Sequence, residues 1–599
     1  MGDAQSLLRA MNLRPSISPT ERRLFLLLAA VTWAYIIARA VLVPWVNDEA
    51  LTYMLYVEPG RFLPYASPWD ANNHFLNSAL MSLAYEWTGL NHLGSRLGNV
   101  LAFVAYAWAV FRLGERISSR LVRWCFWASL MLCPLLIELF SLARGYGMAV
   151  AFWLAATAWL VRFAEQPRLG GMLWALGSLL LADLAVMMAV PVYGVALSIV
   201  LVIGVRRMRG WQRMAGVLSW LVLGAAPFLF SVQYGLELRE RGGYFIGGLD
   251  GFVPITVSSL MEQLFGTDAL GVSWVSAILV GASAAYAAIS CRRKWAITIP
   301  ILLLGADVAS RVCMARILEV NYPIDRAAAH LVPWALVSIA YAIDAVASSR
   351  HLAALAAVPL LALPVRTALC ANLNETALWT YQSPPEHMVR RVASALKDRM
   401  DLMSSPPHMH LSMALESRRL GLEAPRVEGD EPFSPWLGLR IVQGREAAST
   451  AAGFHIIDSV AHNGLYLIER DAPVPLVAEL RSTIGPWSGT KEFKEFLNSD
   501  TLMDAHDRIM DITGPIDSDG EYVDLTVNVT IQGPDGGDVY YERYNVSLLR
   551  PRWNGESLRL RLHIPPVPHG VNRKIYIWNI GRQPLRAGPF TVTLQRLAQ

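Results

Sequence analysis

Between Leu24 and Cys370 apolar runs of bilayer length follow one another, and arginine clusters stand at alternate joints between them. That pattern limits the architecture more than any other feature of the chain. A run of about 20 apolar residues can lie in hydrocarbon only if its backbone groups are satisfied within the protein, and an open chain achieves that as a helix. The composition agrees. With 54% hydrophobic and 17% charged residues over 599 positions, too little polar surface is available for a soluble enzyme. The expectation is a polytopic α-helical membrane protein. A net charge of +4 leaves no footprint for nucleic acid, so the bilayer is the expected environment and nucleic acid is not an expected partner.

Arg9, Arg14, Arg22 and Arg23 precede the first run, 24–44, which makes residues 1–21 a cytoplasmic N-terminal segment. Further spans are expected near 96–113, 121–138, 142–163, 169–187, 189–205, 211–231, 271–290, 295–313, 327–346 and 352–370, about eleven in all. The stretch 73–89 is too polar for an ordinary span, because Asn73, His74, Asn77, Ser78, Ser82 and Glu86 interrupt its apolar stripe. Laid flat in the interface, it leaves every arginine-rich joint, from Arg112 and Arg116 to Arg350, on the cytoplasmic side; as a span it would put them all outside. The loop 233–270 then falls on the outer side, and its glycines suit a lid or a plain connector.

Residues 22–371 thus form the transmembrane region. An odd number of spans puts the remainder on the outer side, in the extracytoplasmic space of a cell inner or plasma membrane. There 372–472 reads as a small α/β region, and 473–599, with alternation at Val523, Leu525, Val527, Val529 and Ile531 followed by further strand patterns, reads as a β-sandwich.

Ionisable side chains beside apolar runs are costly and therefore informative. Asp48 and Glu49 follow the first run directly, Asp48 as the candidate base and Glu49 either in the site or as a charge favoured at a helix N-terminus. Arg61 and His74 lie in the next loop, Glu138, Arg144 and Tyr146 sit in PLLIELFSLARGYGM, and Arg326 sits in NYPIDRAAAHLVP. A carboxylate base with two or three cations suits displacement of a lipid-borne phosphate from a sugar: an acceptor hydroxyl needs a proton acceptor, and the departing phosphate needs fixed positive charge. Arginine serves better than lysine because its planar fork holds phosphate oxygens in pairs. Arg144, Arg326, Arg61, Tyr146 and Glu138 are therefore candidate substrate contacts. His74 is a candidate sugar contact or, with Glu49, a candidate metal ligand; a phosphomonoester donor does not require a metal, so no cofactor is certain and a divalent ion stays an option.

The order of these motifs (the DE pair, the His-containing interfacial helix, Arg96-Leu97-Gly98 at the next span, Ala143-Arg144-x-Tyr146, and Tyr322-Pro323-x-x-Arg326 before an LVP-containing span) resembles the GT-C glycosyltransferases, especially protein O-mannosyltransferases and bacterial aminoarabinose transferases. The resemblance covers 24–370. It implies a polyprenyl-phosphate-linked sugar donor, an inverting mechanism, an outer-face active site and a glycan, lipid or protein acceptor. Where relatives often carry His-Pro-Pro or Lys-Pro-Pro, this chain has His74-Phe75-Leu76. Two other classes compete: a lipid-linked-sugar transporter or flippase, which calls for matching broken spans, and a non-catalytic glycan-binding envelope protein.

Overall fold

A computed structural model describes residues 17–242, 247–290, 292–346, 355–397, 399–400, 402–428, 436–499, 507–567 and 572–597. They divide into two compact units. The first comprises 1–43 and 55–378; the second comprises 44–54 and 379–599.

The first unit is helical. It begins with α1, Pro19–Leu42, opened by a capping box between Ser18 and Glu21. The chain then forms the six-residue helix α2, Asn47–Thr52, which groups with the second unit. There follow α3, Phe75–Thr88, and α4, His92–Gly114; a bent pair, α5, Arg120–Met131, and α6, Pro134–Phe140; and then α7, Tyr146–Glu165, α8, Leu169–Ala185, and α9, Val190–Arg207. The bundle continues with α10, Gly210–Glu240, α11, Ser258–Phe265, α12, Leu270–Ser290, α13, Trp295–Leu318, α14, Leu331–Val346, and α15, Leu355–Cys370.

Seven of these helices (α1, α4, α7, α9, α10, α12 and α13) are long and apolar enough to cross a membrane, and the α5–α6 pair, bent by 46°, makes an eighth if it is one span. Shorter apolar helices stand at the other expected positions, α8, α14 and α15. The expected eleven crossings therefore exceed the number that length and composition establish. Helix α3 has 14 residues, about 21 Å at 1.5 Å per residue, too short for a bilayer core.

One sequence expectation changes. The stretch 233–270 is mostly not a loop: α10 runs through to Glu240, and a π-helical turn, Val253–Val257, leads directly into α11, leaving a connection of which 243–246 lie outside the described residues. The helix continues past the apolar run because Tyr234 and Leu238 are buried against Phe75. Within α8, the buried Asp183 accepts a hydrogen bond from the Ser231 hydroxyl.

The second unit holds α16, Glu386–Leu396, α17, His410–Arg419, and α18, Arg445–Thr450, with a five-stranded mixed sheet. The sheet runs Val427–Glu428, Leu402–Ser404, Leu437–Gln443, Leu465–Arg470, Phe454–Val460; the first three are parallel and the rest antiparallel. Beyond it two antiparallel sheets face each other. The four-stranded one runs Asp538–Asn545, Leu525–Gln532, Asn572–Asn579, Phe493–Ser499. The other is built on the long strand Arg508–Tyr522, which pairs with Arg552–Ile564 and Phe590–Leu597. Alternation places Val527, Val529, Ile531, Ile575 and Ile577 in the shared core with Met510, Ile512, Leu560, Leu562 and Leu594. Tyr576 and Trp578 are half-buried on the opposite face, as period two requires.

A guanidinium pair around one tyrosine

The site in the first unit is assembled by a turn. Between α6 and α7 the chain reverses through Ala143-Arg144-Gly145, and Gly145 adopts φ +59. A β-carbon there would lie 2.5 Å from the Ala185 carbonyl and 2.9 Å from the His74 Cβ, so only glycine permits this approach. The turn is tied down by amides. Asn77 Nδ2 donates to the Ala143 carbonyl at 3.0 Å, Asn99 Nδ2 donates to Asn77 Oδ1 at 3.0 Å, and Asn99 Oδ1 accepts from the Met148 N–H at 3.0 Å. One of the polar residues that disqualified α3 as a span, Asn77, thus holds the turn together with Asn99 of α4. Two more position His74 at its N-cap: Asn73 Nδ2 donates to Ser67 Oγ at 2.9 Å and to the Phe62 carbonyl at 3.1 Å, and Ser78 Oγ donates to Asn73 Oδ1 at 3.0 Å.

Arg326 arrives from far along the chain. Its segment is pinned by backbone contacts: the Tyr322 N–H donates to the Gly248 carbonyl at 2.8 Å, Thr256 Oγ1 donates to the Pro323 carbonyl at 2.7 Å, and the Asp325 N–H donates to Ser259 Oγ at 2.9 Å.

Tyr146 is where these pieces meet. The guanidinium carbon of Arg144 is 5.8 Å from its ring centroid and that of Arg326 is 6.0 Å away, while the His74 ring meets it edge-on at 4.9 Å. Arg144 is 2% exposed and His74 5%, so that charge and the imidazole sit in a poorly hydrated setting, while Arg326 is half-buried. The His74 Nε2 is buried without a hydrogen-bond partner among the described residues. Burial first, then the charges of Arg144 and Arg326, hold its pKa well below the ordinary imidazole value. His74 is therefore a neutral imidazole.

A cavity of about 110 Å³ adjoins the cluster, lined by Asp70, His74, Tyr146 and Arg326 with apolar walls that include Phe75, Met187 and Tyr234. Asp70 is the residue that sequence reasoning missed. It lies in a Pro-rich loop where a carboxylate is unremarkable, and its only signal is the neighbouring Trp69, which stacks on Tyr234 at 4.8 Å.

Two of the expected site residues in the first unit do not line this cavity. Glu138 accepts the N–H groups of Ala377 and Leu378, each at 3.0 Å, and does not line the cavity. Glu138, near Arg144 in sequence, thus caps the segment after α15. Arg61 is exposed and does not line the cavity either. Asp48 and Glu49 belong to 44–54, in the second unit. Glu49 is fully buried, and its Oε2 accepts the Val46 N–H at 3.1 Å, capping α2; Asp48 is half-buried one residue before it. Among the described residues no group of three or more His, Cys, Asp or Glu side chains is placed to hold a metal ion.

These features define an integral membrane protein of the polytopic helical class, with a pair of guanidinium groups, one buried and one half-buried, beside a largely apolar cavity and a β-rich C-terminal region. No protein-family model matches the sequence, and no curated protein matches it. Among solved structures it is similar to ArnT from Cupriavidus metallidurans in the apo state, with a TM-score of 0.40 and 12% identity over 75% of this chain and 97% of that one. The same protein bound to undecaprenyl phosphate gives 0.34, 11% identity, 76% and 99%. Arabinosyltransferase EmbB from Mycobacterium smegmatis gives 0.35 and 13% identity, over 99% of this chain and 66% of that one.

Proposed function

We propose that the protein is a GT-C-type glycosyltransferase that moves a sugar from a polyprenyl phosphate to an acceptor hydroxyl at the outer face of an inner or plasma membrane, with inversion at the anomeric carbon. The observation that carries this reading is the pairing of Arg144 and Arg326 over one tyrosine ring beside an apolar-walled cavity. Two guanidinium groups in a poorly hydrated site are suited to a phosphate dianion that becomes the leaving group, since their charge is oriented before the bond breaks. Phe75, Met187 and Tyr234 offer a surface for the first isoprene units. The neutral His74, with a free Nε2, and Asp70 are suited to sugar hydroxyls.

In the reaction the acceptor oxygen bonds to the anomeric carbon as the carbon–oxygen bond to phosphate breaks, and the acceptor proton passes to a carboxylate. Asp48 is assigned that role, with Glu49 as the residue that holds its helix. The departing polyprenyl phosphate keeps the bonding electrons, so it needs charge stabilisation and no general acid. If a divalent ion is bound, it would add charge at the same phosphate. The extramembrane second unit is assigned to the same, outer side as the acceptor.

The test is transfer by purified protein in lipid nanodiscs, with Asp48→Asn against wild type. The reading expects a loss of about 10²–10⁴-fold, the range for a general base. Undiminished turnover by the variant would remove Asp48 from the mechanism.

A further inference from the structure

Helix α2 runs on into a π-helical turn, Tyr53–Val57, and a helical stretch this short does not hold its own direction in water, so whatever packs against α2 decides where Asp48 points. In the second unit that neighbour is α17, which grips the segment on both sides of α2. Ahead of it, Glu416 Oε1 accepts the Trp45 N–H at 3.3 Å. Behind it, the Arg418 guanidinium carbon lies 5.9 Å from the Tyr53 ring centroid. Asp48 and Glu49 lie between the two anchors. Both anchors are built, not incidental: Trp45 and Glu416 are each 1% exposed and Tyr53 is 3% exposed. Glu416 is itself oriented, since Arg419 Nε donates to its Oε2 at 2.8 Å and Arg419 Nη2 donates to Glu386 Oε2 at 2.7 Å. The chain of contacts runs from α16 through α17 to the residue that leads into α2.

We infer that Glu416 is a positioning residue for the reaction, and that the C-terminal region holds the segment bearing the base in place through it. The inference rests on the assignment of Asp48 as base. A buried carboxylate that accepts a backbone N–H fixes a direction as well as a distance, and displacement of a reacting group by about 1 Å costs up to 10²-fold in rate. Glu416 acts on the acceptor's deprotonation and leaves the donor's phosphate to Arg144 and Arg326. Its loss should therefore reduce kcat and spare donor binding.

The experiment compares full-length Glu416→Ala, Glu416→Gln and Asp48→Asn proteins in nanodiscs, with undecaprenyl phosphate as the binding probe. Glu416→Ala is expected to lower kcat about tenfold or more while donor KM and undecaprenyl phosphate affinity change less than about twofold. Glu416→Gln, which keeps an oxygen for the Trp45 N–H, is expected to recover most of the lost kcat. Hydrogen exchange should quicken at the amides of 46–53 in the alanine variant and stay unchanged in the strands of the second unit. The inference is overturned if Glu416→Ala keeps wild-type kcat, if kcat and probe affinity fall together, or if exchange quickens throughout the second unit. An active Asp48→Asn protein would instead bring down the assignment beneath it; an inactive Asp48→Asn beside a fully active Glu416→Ala would sink only the inference.

Discussion

Arg326 and Tyr146 are far apart along the chain, yet the Arg326 guanidinium carbon lies 6.0 Å from the Tyr146 ring centroid, with Arg144 at 5.8 Å from the same ring. Replacing either arginine with alanine should weaken undecaprenyl phosphate binding by about ten- to a hundredfold, the worth of a charge-assisted hydrogen bond of ~1.5–3 kcal/mol. Lysine should recover only part of it, since it lacks the paired donors. Titration of each purified variant with the lipid checks both statements.

His74 gives a signed pH effect. Above its ordinary value of 6.5 the imidazole is neutral in the folded and the unfolded chain, so it contributes no slope. As pH falls through 6.5 the unfolded chain takes up a proton that the buried site, facing Arg144, Arg326 and Tyr146, refuses, and folded stability declines. Thermal unfolding between about pH 7 and 5 should show a steeper loss for wild type than for His74→Gln. Equal slopes would mean that His74 titrates normally.

The Gly145 turn should not tolerate a side chain. Alanine must take φ +59, at a cost of about 1–2 kcal/mol, and must also push back the Ala185 carbonyl. Gly145→Ala should therefore lose undecaprenyl phosphate binding more than it loses melting temperature, because the turn aims Arg144 and Tyr146. A large fall in melting temperature with full binding would contradict this.

Asn77 and Asn99 form one buried amide relay, so their effects should not add. Asn77→Ala leaves the Ala143 carbonyl and the Asn99 amide without their bonds, at about 1–3 kcal/mol. A double-mutant cycle with Asn99→Ala should show a coupling of about 0.5–3 kcal/mol in unfolding free energy.

Which parts of the site could be read from the chain follows from cost. Arg144, Arg326 and His74 stand beside apolar runs, where a polar group demands a reason, and all three meet at Tyr146. The strands from Leu525 to Leu597 were visible for a similar reason: alternation shows directly which side is buried. Asp70 gave no such signal, because carboxylates in polar loops cost nothing. The partners of Glu138, the Ala377 and Leu378 N–H groups, were not legible, because they are backbone donors distant in sequence and no pattern marks those. The length of α10 was hidden because hydropathy ends at the membrane boundary, whereas the helix ends where its packing on Phe75 ends.

The central claim is that one phosphate is held by Arg144 and Arg326 together. Native mass spectrometry of protein purified in mild detergent tests it most directly. Wild type should carry a polyprenyl phosphate, or take up added undecaprenyl phosphate at one copy per chain, and an Arg144→Ala/Arg326→Ala protein of unchanged helix content should carry none. Equal lipid occupancy in the two proteins would contradict the account.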